Sequence, residues 1–216
     1  MTQDKLVRGK LAMTRSPVDY SRITRKAGRG CKRLAGLDLA SSCGVSFCDF
    51  VDGAEPVIIG GQWDLSINNF ETNSIRYVRL LSFLDTLSPD LVLFEEVKFT
   101  GTANPPGMVN TNLQALVARA VTGAQVVQGL SAILGLWGEQ HNVPCEAVPI
   151  GTLKKYGAGV GNANKEKMIA ACNSRFGTEL DAATYQQTGA DNIADSMFLC
   201  AMAVEQYGAT TTTREA

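Results

Sequence analysis

Four carboxylates stand where a chain gains little from having them. Asp38 interrupts the apolar stretch Arg33 to Phe47, RLAGLDLASSCGVSF, Glu95 closes the run Asp90 to Phe94, and Asp191 and Asp195 open the apolar ending GADNIADSMFLCAMA. Strand interiors disfavour Asp, and an ionised carboxylate withdrawn from water costs on the order of several kcal/mol unless a cation or hydrogen-bond donors meet it. Asp191 and Asp195 are four residues apart, so on a helix both project from one face, a turn from each other. Carboxylates that converge repel and raise each other's pKa unless cations neutralise them. Oxygen-only ligands favour Mg²⁺ or Mn²⁺. Two such ions about 3.5–4 Å apart activate a water and stabilise the leaving oxygen of a phosphodiester. Singly, Asp38 also reads as a strand-end Asp bonded to a turn, Asp191 as a helix cap and Glu96 as a solvated strand-end residue. It is their conjunction that points to a metal site.

The elements that must carry these acids follow from pattern. The small residues Ala40 to Gly44 turn the first strand into a second, Val45 to Phe50, giving a hairpin with Asp38 on its first arm. Pro56 to Leu65 is a third extended segment with a bend at Gly60-Gly61. Ile75, Val78, Leu81 and Leu84 predict one apolar side of a helix that stops at Ser88-Pro89, with Arg76 and Arg79 on its wetter face. Asp90 to Phe94 reads as a central strand ending at Glu95-Glu96, and 100–111 as a loop at its carboxyl end. Leu113 to about His141 is a long helix or two abutting ones, Val143 to Ile150 a fifth strand, and Gly151 to Ala163 a glycine-rich connection. Asn164 caps a helix from Lys165 to Phe176 that Gly177 stops, and a final helix runs from Asp191 to about Tyr207.

The chain of 216 residues, 45% hydrophobic and 19% charged, has room for one full α/β core, or a core with an arm, but not for two large domains. It holds no apolar run of the roughly 18 residues a membrane span needs and no apolar signal core near its start, so a cytoplasmic protein without membrane contact is expected. Six cysteines scattered through apolar segments without a CxxC pair read as reduced core residues, and the single His141 anchors no histidine metal site. Net charge is −1, but residues 1–33 hold ten of the twenty Lys and Arg against two acids. Residues 1–32 therefore read as a basic, disordered arm whose Arg25, Lys26 and Arg29 meet nucleic acid, a solvated solubility tail being the bland alternative. Residues 33–208 form the folded domain, and 209–216 a frayed tail. Lys154 and Lys155, with Lys165 and Lys167 at a helix start behind a glycine loop, are placed to hold backbone phosphates.

The segments DLVLFEEVKF, GLDLASSCGVSF and GADNIADSMFLCAMA resemble the three acidic motifs of the RuvC family of Holliday junction resolvases, above all its bacteriophage branch. VPCEAVPIGTLKKYGAGVGNANKEKMIAAC is similar to that family's fifth strand, glycine-containing loop and basic helix, so the resemblance spans Leu34 to Tyr207. It implies a ribonuclease H-like fold: a mixed five-stranded sheet, three antiparallel strands joined to parallel ones, flanked by helices. It further implies a homodimer, two Mg²⁺ per active site with Mn²⁺ able to substitute, no nucleotide cofactor, and four-way or branched DNA as partner. The implied reaction is a pair of symmetric nicks leaving ligatable 5′-phosphate ends, in the host cytoplasm if a phage encodes the chain. Carried over residue by residue, the catalytic and metal-binding acids are Asp38, Glu95, Asp191 and Asp195. Asn192 stands where the bacterial D-x-x-D pattern has its first acid, which makes Asn192 a helper to Asp191. The family's aromatic wedge falls near Lys98 and Phe99, taken as DNA contacts, Phe99 being one position past the matching place. Three other readings compete. A phosphate-cradling lobe of an actin-like ATPase lacks its second lobe here. A nuclease of flaps, Y-forks or RNA–DNA hybrids keeps the chemistry and changes the substrate. A non-catalytic binder of branched DNA would gain nothing from four acids facing phosphates.

Overall fold

The computed structural model describes the backbone of residues 7–10, 32–96 and 111–214, and the side chains of 32–96 and 123–207. Among the described residues six strands form one sheet: β1 (Val7–Lys10), β2 (Lys32–Asp38), β3 (Ser42–Phe50), β4 (Val57–Asp64), β5 (Leu91–Glu96) and β6 (Cys145–Pro149), in spatial order β1-β4-β3-β2-β5-β6. The pairs β1·β4, β4·β3 and β3·β2 are antiparallel; β2·β5 and β5·β6 are parallel. The five predicted strands thus occur in the predicted order, in a mixed sheet. Of the arm 1–32, the structure describes Val7–Lys10, an edge strand along β4, and Lys32, which opens β2; the rest of the arm lies outside the described residues. Edge pairing is made by backbone N–H and C=O groups, so a polar segment can supply it without an apolar pattern to announce it.

Helices cover both faces: α1 (Ile75–Leu87) and α2 (Thr111–His141) on one, and α3 (Ile150–Ala158), α4 (Lys165–Phe176), the short α5 (Tyr185–Thr188) and α6 (Ala190–Arg214) associated with the other. Alternation along β2 shows the division. Leu34 packs with α4 and α6 residues such as Ile169 and Phe198, whereas Ala35 and Leu37 pack with Leu80, Leu134 and Trp137 of α1 and α2. Cys43, Cys48, Cys172 and Cys200 are buried free thiols within these cores and Cys145 is a half-buried one. Among the described residues no helix is long and apolar enough to cross a membrane.

Three local expectations are corrected. Residues 151–163 are not a glycine-rich connection throughout, because α3 begins at Ile150 and runs to Ala158 before Gly159 (φ 78°) ends it. Its Gly157 sits where a Cβ would meet Met168 and Phe198 side chains at 2.8 and 2.9 Å, so the glycine serves close packing. The 209–216 tail is helical as far as Arg214, since extending an existing helix adds one hydrogen bond per residue with no new nucleation cost. On α1 the buried positions are Arg76, Leu80, Leu84 and Leu87, while Val78 is exposed. Arg76 is therefore not on the wet face. Its guanidinium donates to Ser41 Oγ (3.2 Å) and Asn73 Oδ1 (3.5 Å), tying α1 to the β2–β3 turn.

Candidate active site

Asp38 ends β2, and Glu95 is the penultimate residue of its parallel neighbour β5. The last registered pair between β2 and β5 is Leu37↔Phe94, and each acid is the next residue on its strand. Leu37 and Phe94 belong to the α1/α2 core, so strand alternation sends Asp38 and Glu95 to the opposite face, the one α6 crosses. That helix comes down to backbone contact. A Cβ on Gly36 would lie 2.2 Å from Ser196 O, and one on Gly44, the residue paired with Asp38, would lie 1.9 Å from Asn192 O. Ser46 Oγ donates to Ser196 O at 2.5 Å and Asn192 Nδ2 donates to Ser42 O at 2.6 Å. The first turns of α6, which carry Asp191 and Asp195, are thereby seated on the hairpin that carries Asp38. Gly44→Ala is expected to destabilise the fold by about 3 kcal/mol, a drop of roughly 6–12 °C in melting temperature, since backbone cannot yield as a flexible side chain can. An unchanged melt would contradict this seating.

The acids act on one another. Burial pushes the Asp38 carboxyl well above the usual range, and the charges of Asp195, Glu95 and Asp191 push it further, with Lys165 opposing. Asp195 is raised to about 7, chiefly by burial, then by Glu95 and Asp191, against the pull of Lys154 and Lys165. Glu95 is raised by burial, with Lys154 and Lys165 opposing. Asp195 Oδ1 is a buried acceptor with no hydrogen-bond partner among the described residues. Asp191, nearly buried, takes an ion pair and hydrogen bond from Lys165 Nζ, which also lies 5.1 Å from the Tyr185 ring centroid. Among the described residues no three His, Cys, Asp or Glu side chains stand close enough to share one ion. The donor set is nonetheless that of a hard divalent cation: oxygen ligands only, crowded negative charge and one orphaned buried carboxylate oxygen.

The remaining predicted residues divide. Lys154 on α3 lies close enough to act electrostatically on both Glu95 and Asp195. Lys155 lines a cleft of about 770 Å³ with Glu96, Ile150, Thr152 and Tyr156, beside the carboxyl ends of β5 and β6. Lys165 is engaged by Asp191, a tertiary pairing that nothing in its helical context signals. Exposed Lys167 gives its backbone N–H to the cap Asn164 Oδ1 at 3.1 Å. Asn192 spends its side-chain amide on Ser42 O. His141, at the end of α2, stacks on Trp137 and its Nδ1 lies 2.8 Å from the Trp137 carbonyl oxygen, away from the acids. Lys98, Phe99, Arg25, Lys26 and Arg29 lie outside the described residues.

No family model and no curated protein sequence matches this chain. Solved structures do. RuvC of Thermus thermophilus superposes with a TM-score of 0.51 at 17% identity, over 84% of this chain and 96% of that one. The same species' RuvC in complex with Holliday junction substrate gives a TM-score of 0.50 at 20% identity, over 82% and 97%. The yeast mitochondrial Holliday junction resolvase gives 0.51 at 17% identity, over 86% and 82%. The chain therefore has the ribonuclease H-like fold of RuvC.

Proposed function

We propose that this chain is a divalent-metal-dependent endonuclease that resolves four-way DNA junctions by paired nicks, acting as a homodimer. The observation that carries the reading is geometric: Asp38 and Glu95, side by side on adjacent parallel strands of a RuvC-like sheet, share the face against which the helix bearing Asp191 and Asp195 is seated. A cluster of buried like charges is costly for stability, and a phosphodiester reaction that needs cations is a use that offsets the cost. Asp38, Glu95, Asp191 and Asp195 would hold Mg²⁺ or Mn²⁺, which when bound supplies positive charge against the phosphodiester and acidifies the attacking water. The chain's own part is to fix the four carboxylates on two strand ends and one helix. Lys165 neutralises Asp191, and Lys154 and Lys155 offer charge to the backbone phosphates of the entering strand.

The test is cleavage of end-labelled four-way junction, Y-fork and linear duplex, each with Mg²⁺ and with EDTA. Symmetric, metal-dependent nicks confined to the junction are expected. Equal cutting of the fork would widen the substrate to branched DNA, and binding without cutting under Mg²⁺ and Mn²⁺ would overturn the nuclease reading.

The basic arm belongs to the same proposal. Neutralising three of its charges with Arg25→Gln, Lys26→Gln and Arg29→Gln is expected to weaken junction binding and to flatten the slope of log K against log salt by up to about 3, since each phosphate contact releases about one counterion. An unchanged slope returns the arm to a solubility tail.

A further inference from the structure

Between β4 and α1 the chain turns at the same end of the sheet as the acids, because β4 runs parallel to β2 through their common antiparallel neighbour β3. On that turn Phe70 is 99% exposed, far more than any other large apolar side chain among the described residues. The ring is not on a loose loop. Asn68 Oδ1 accepts the Phe70 N–H at 3.0 Å, Glu71 Oε2 accepts the Asn68 N–H at 3.0 Å, and Asn68 O accepts the Glu71 N–H at 3.1 Å. Arg79 clamps the turn from α1 by donating to Glu71 Oε1 at 2.6 Å and to the Ser66 carbonyl. Both ends are pinned to Ser41, three residues past Asp38: Leu65 N–H donates to Ser41 O at 2.7 Å, and Arg76 bridges Ser41 Oγ to Asn73. A hydrogen-bonded turn thus holds a whole aromatic face in water at the end of the sheet where the acids lie, between β4 and α1.

We propose that Phe70 is a base-stacking contact for the DNA substrate at the end of the sheet that carries the acids. This inference rests on the nuclease reading above. A nucleobase fits better than a protein partner. Even with Ile67, which is 38% exposed, the turn offers roughly 200–300 Å² of apolar surface, amid the polar neighbours Asn68, Asn69 and Glu71, far short of the roughly 1,000 Å² a specific protein interface needs. Every base presents a π-face, and a preordered aromatic binds one without first being immobilised.

The experiment uses the full chain with Ca²⁺ in place of Mg²⁺, so that binding is read without cleavage, and junctions carrying 2-aminopurine at successive positions about the branch point. Phe70→Ala is expected to weaken junction binding about tenfold and to abolish the fluorescence change at one position that responds to the wild type. Phe70→Trp restores both, Phe70→Leu restores neither, and the melting temperature stays that of the wild type because the ring packs on nothing. Wild-type binding and fluorescence in Phe70→Ala, beside a wild type that cuts normally in Mg²⁺, would overturn the inference and leave the nuclease reading standing. Rescue by Leu, or a changed sedimentation mass in Phe70→Ala, would replace stacking with a plain apolar or protein contact. A wild type that neither binds nor cuts a junction takes both readings down.

Discussion

Asp38→Asn is expected to lower junction cleavage by at least roughly 10²–10³-fold, the cost typical of removing one group that stabilises charge at a reacting centre. The substitution keeps the shape of the side chain and removes one negative charge at the point where Asp195, Glu95 and Asp191 all press on it. Junction binding is expected to hold or tighten, because the phosphate backbone then meets one repelling charge fewer. Loss of cutting with retained binding separates chemistry from folding, and the folded fraction should not fall, since the neutral amide removes a charge that burial disfavours. Single-turnover cleavage and binding in Ca²⁺, measured side by side, decide the matter. Cleavage at the wild-type rate would remove Asp38 from the site, and with it the argument that the β2 and β5 acids work together.

Why Asp38 was legible and Lys165 was not comes down to the range of the interaction that reveals each. Asp38 and Glu95 betray themselves locally, as acids at the ends of apolar strand runs, and Asp191 and Asp195 by a four-residue spacing at a helix start. Their meeting depends on β2 and β5 being neighbours and on Gly36 and Gly44 letting α6 reach the sheet, which strand order predicts and local pattern does not. Arg76 was hidden because a search for apolar periodicity skips an arginine, although it is in phase with Leu80, Leu84 and Leu87 on the buried side of α1. Gly151, Gly157 and Gly159 disguised α3 as a loop; the countersign was Leu153, fully buried one turn into it. The Lys165–Asp191 pair and the edge strand Val7–Lys10 are tertiary events joining residues far apart in the chain, and no local pattern encodes them.

Asp195→Asn should move stability and activity in opposite directions. The Asp195 carboxyl is raised to about 7 in the folded chain, against an ordinary value of 3.8. Between these values the folded state holds a proton that the unfolded state has released, so unfolding gains ground as pH rises from about 4 through 7, and the full penalty stands above 7. The shift corresponds to roughly 2–4 kcal/mol at pH 8. Without divalent ions, Asp195→Asn is therefore expected to melt several degrees above the wild type at pH 8 and level with it near pH 4. Divalent ions should reverse the order of response. Mg²⁺ binding to the folded state raises the wild-type melting temperature by mass action and raises that of the variant less, while cleavage by the variant falls about 10²-fold or more. Melts across pH with EDTA and with Mg²⁺ test the whole pattern. A variant less stable than the wild type at pH 8 in EDTA would mean that Asp195 is held by favourable partners, as a structural carboxylate is. A gain that vanishes on acidification, joined to the loss of cutting, identifies a charge that the fold carries for the sake of its chemistry.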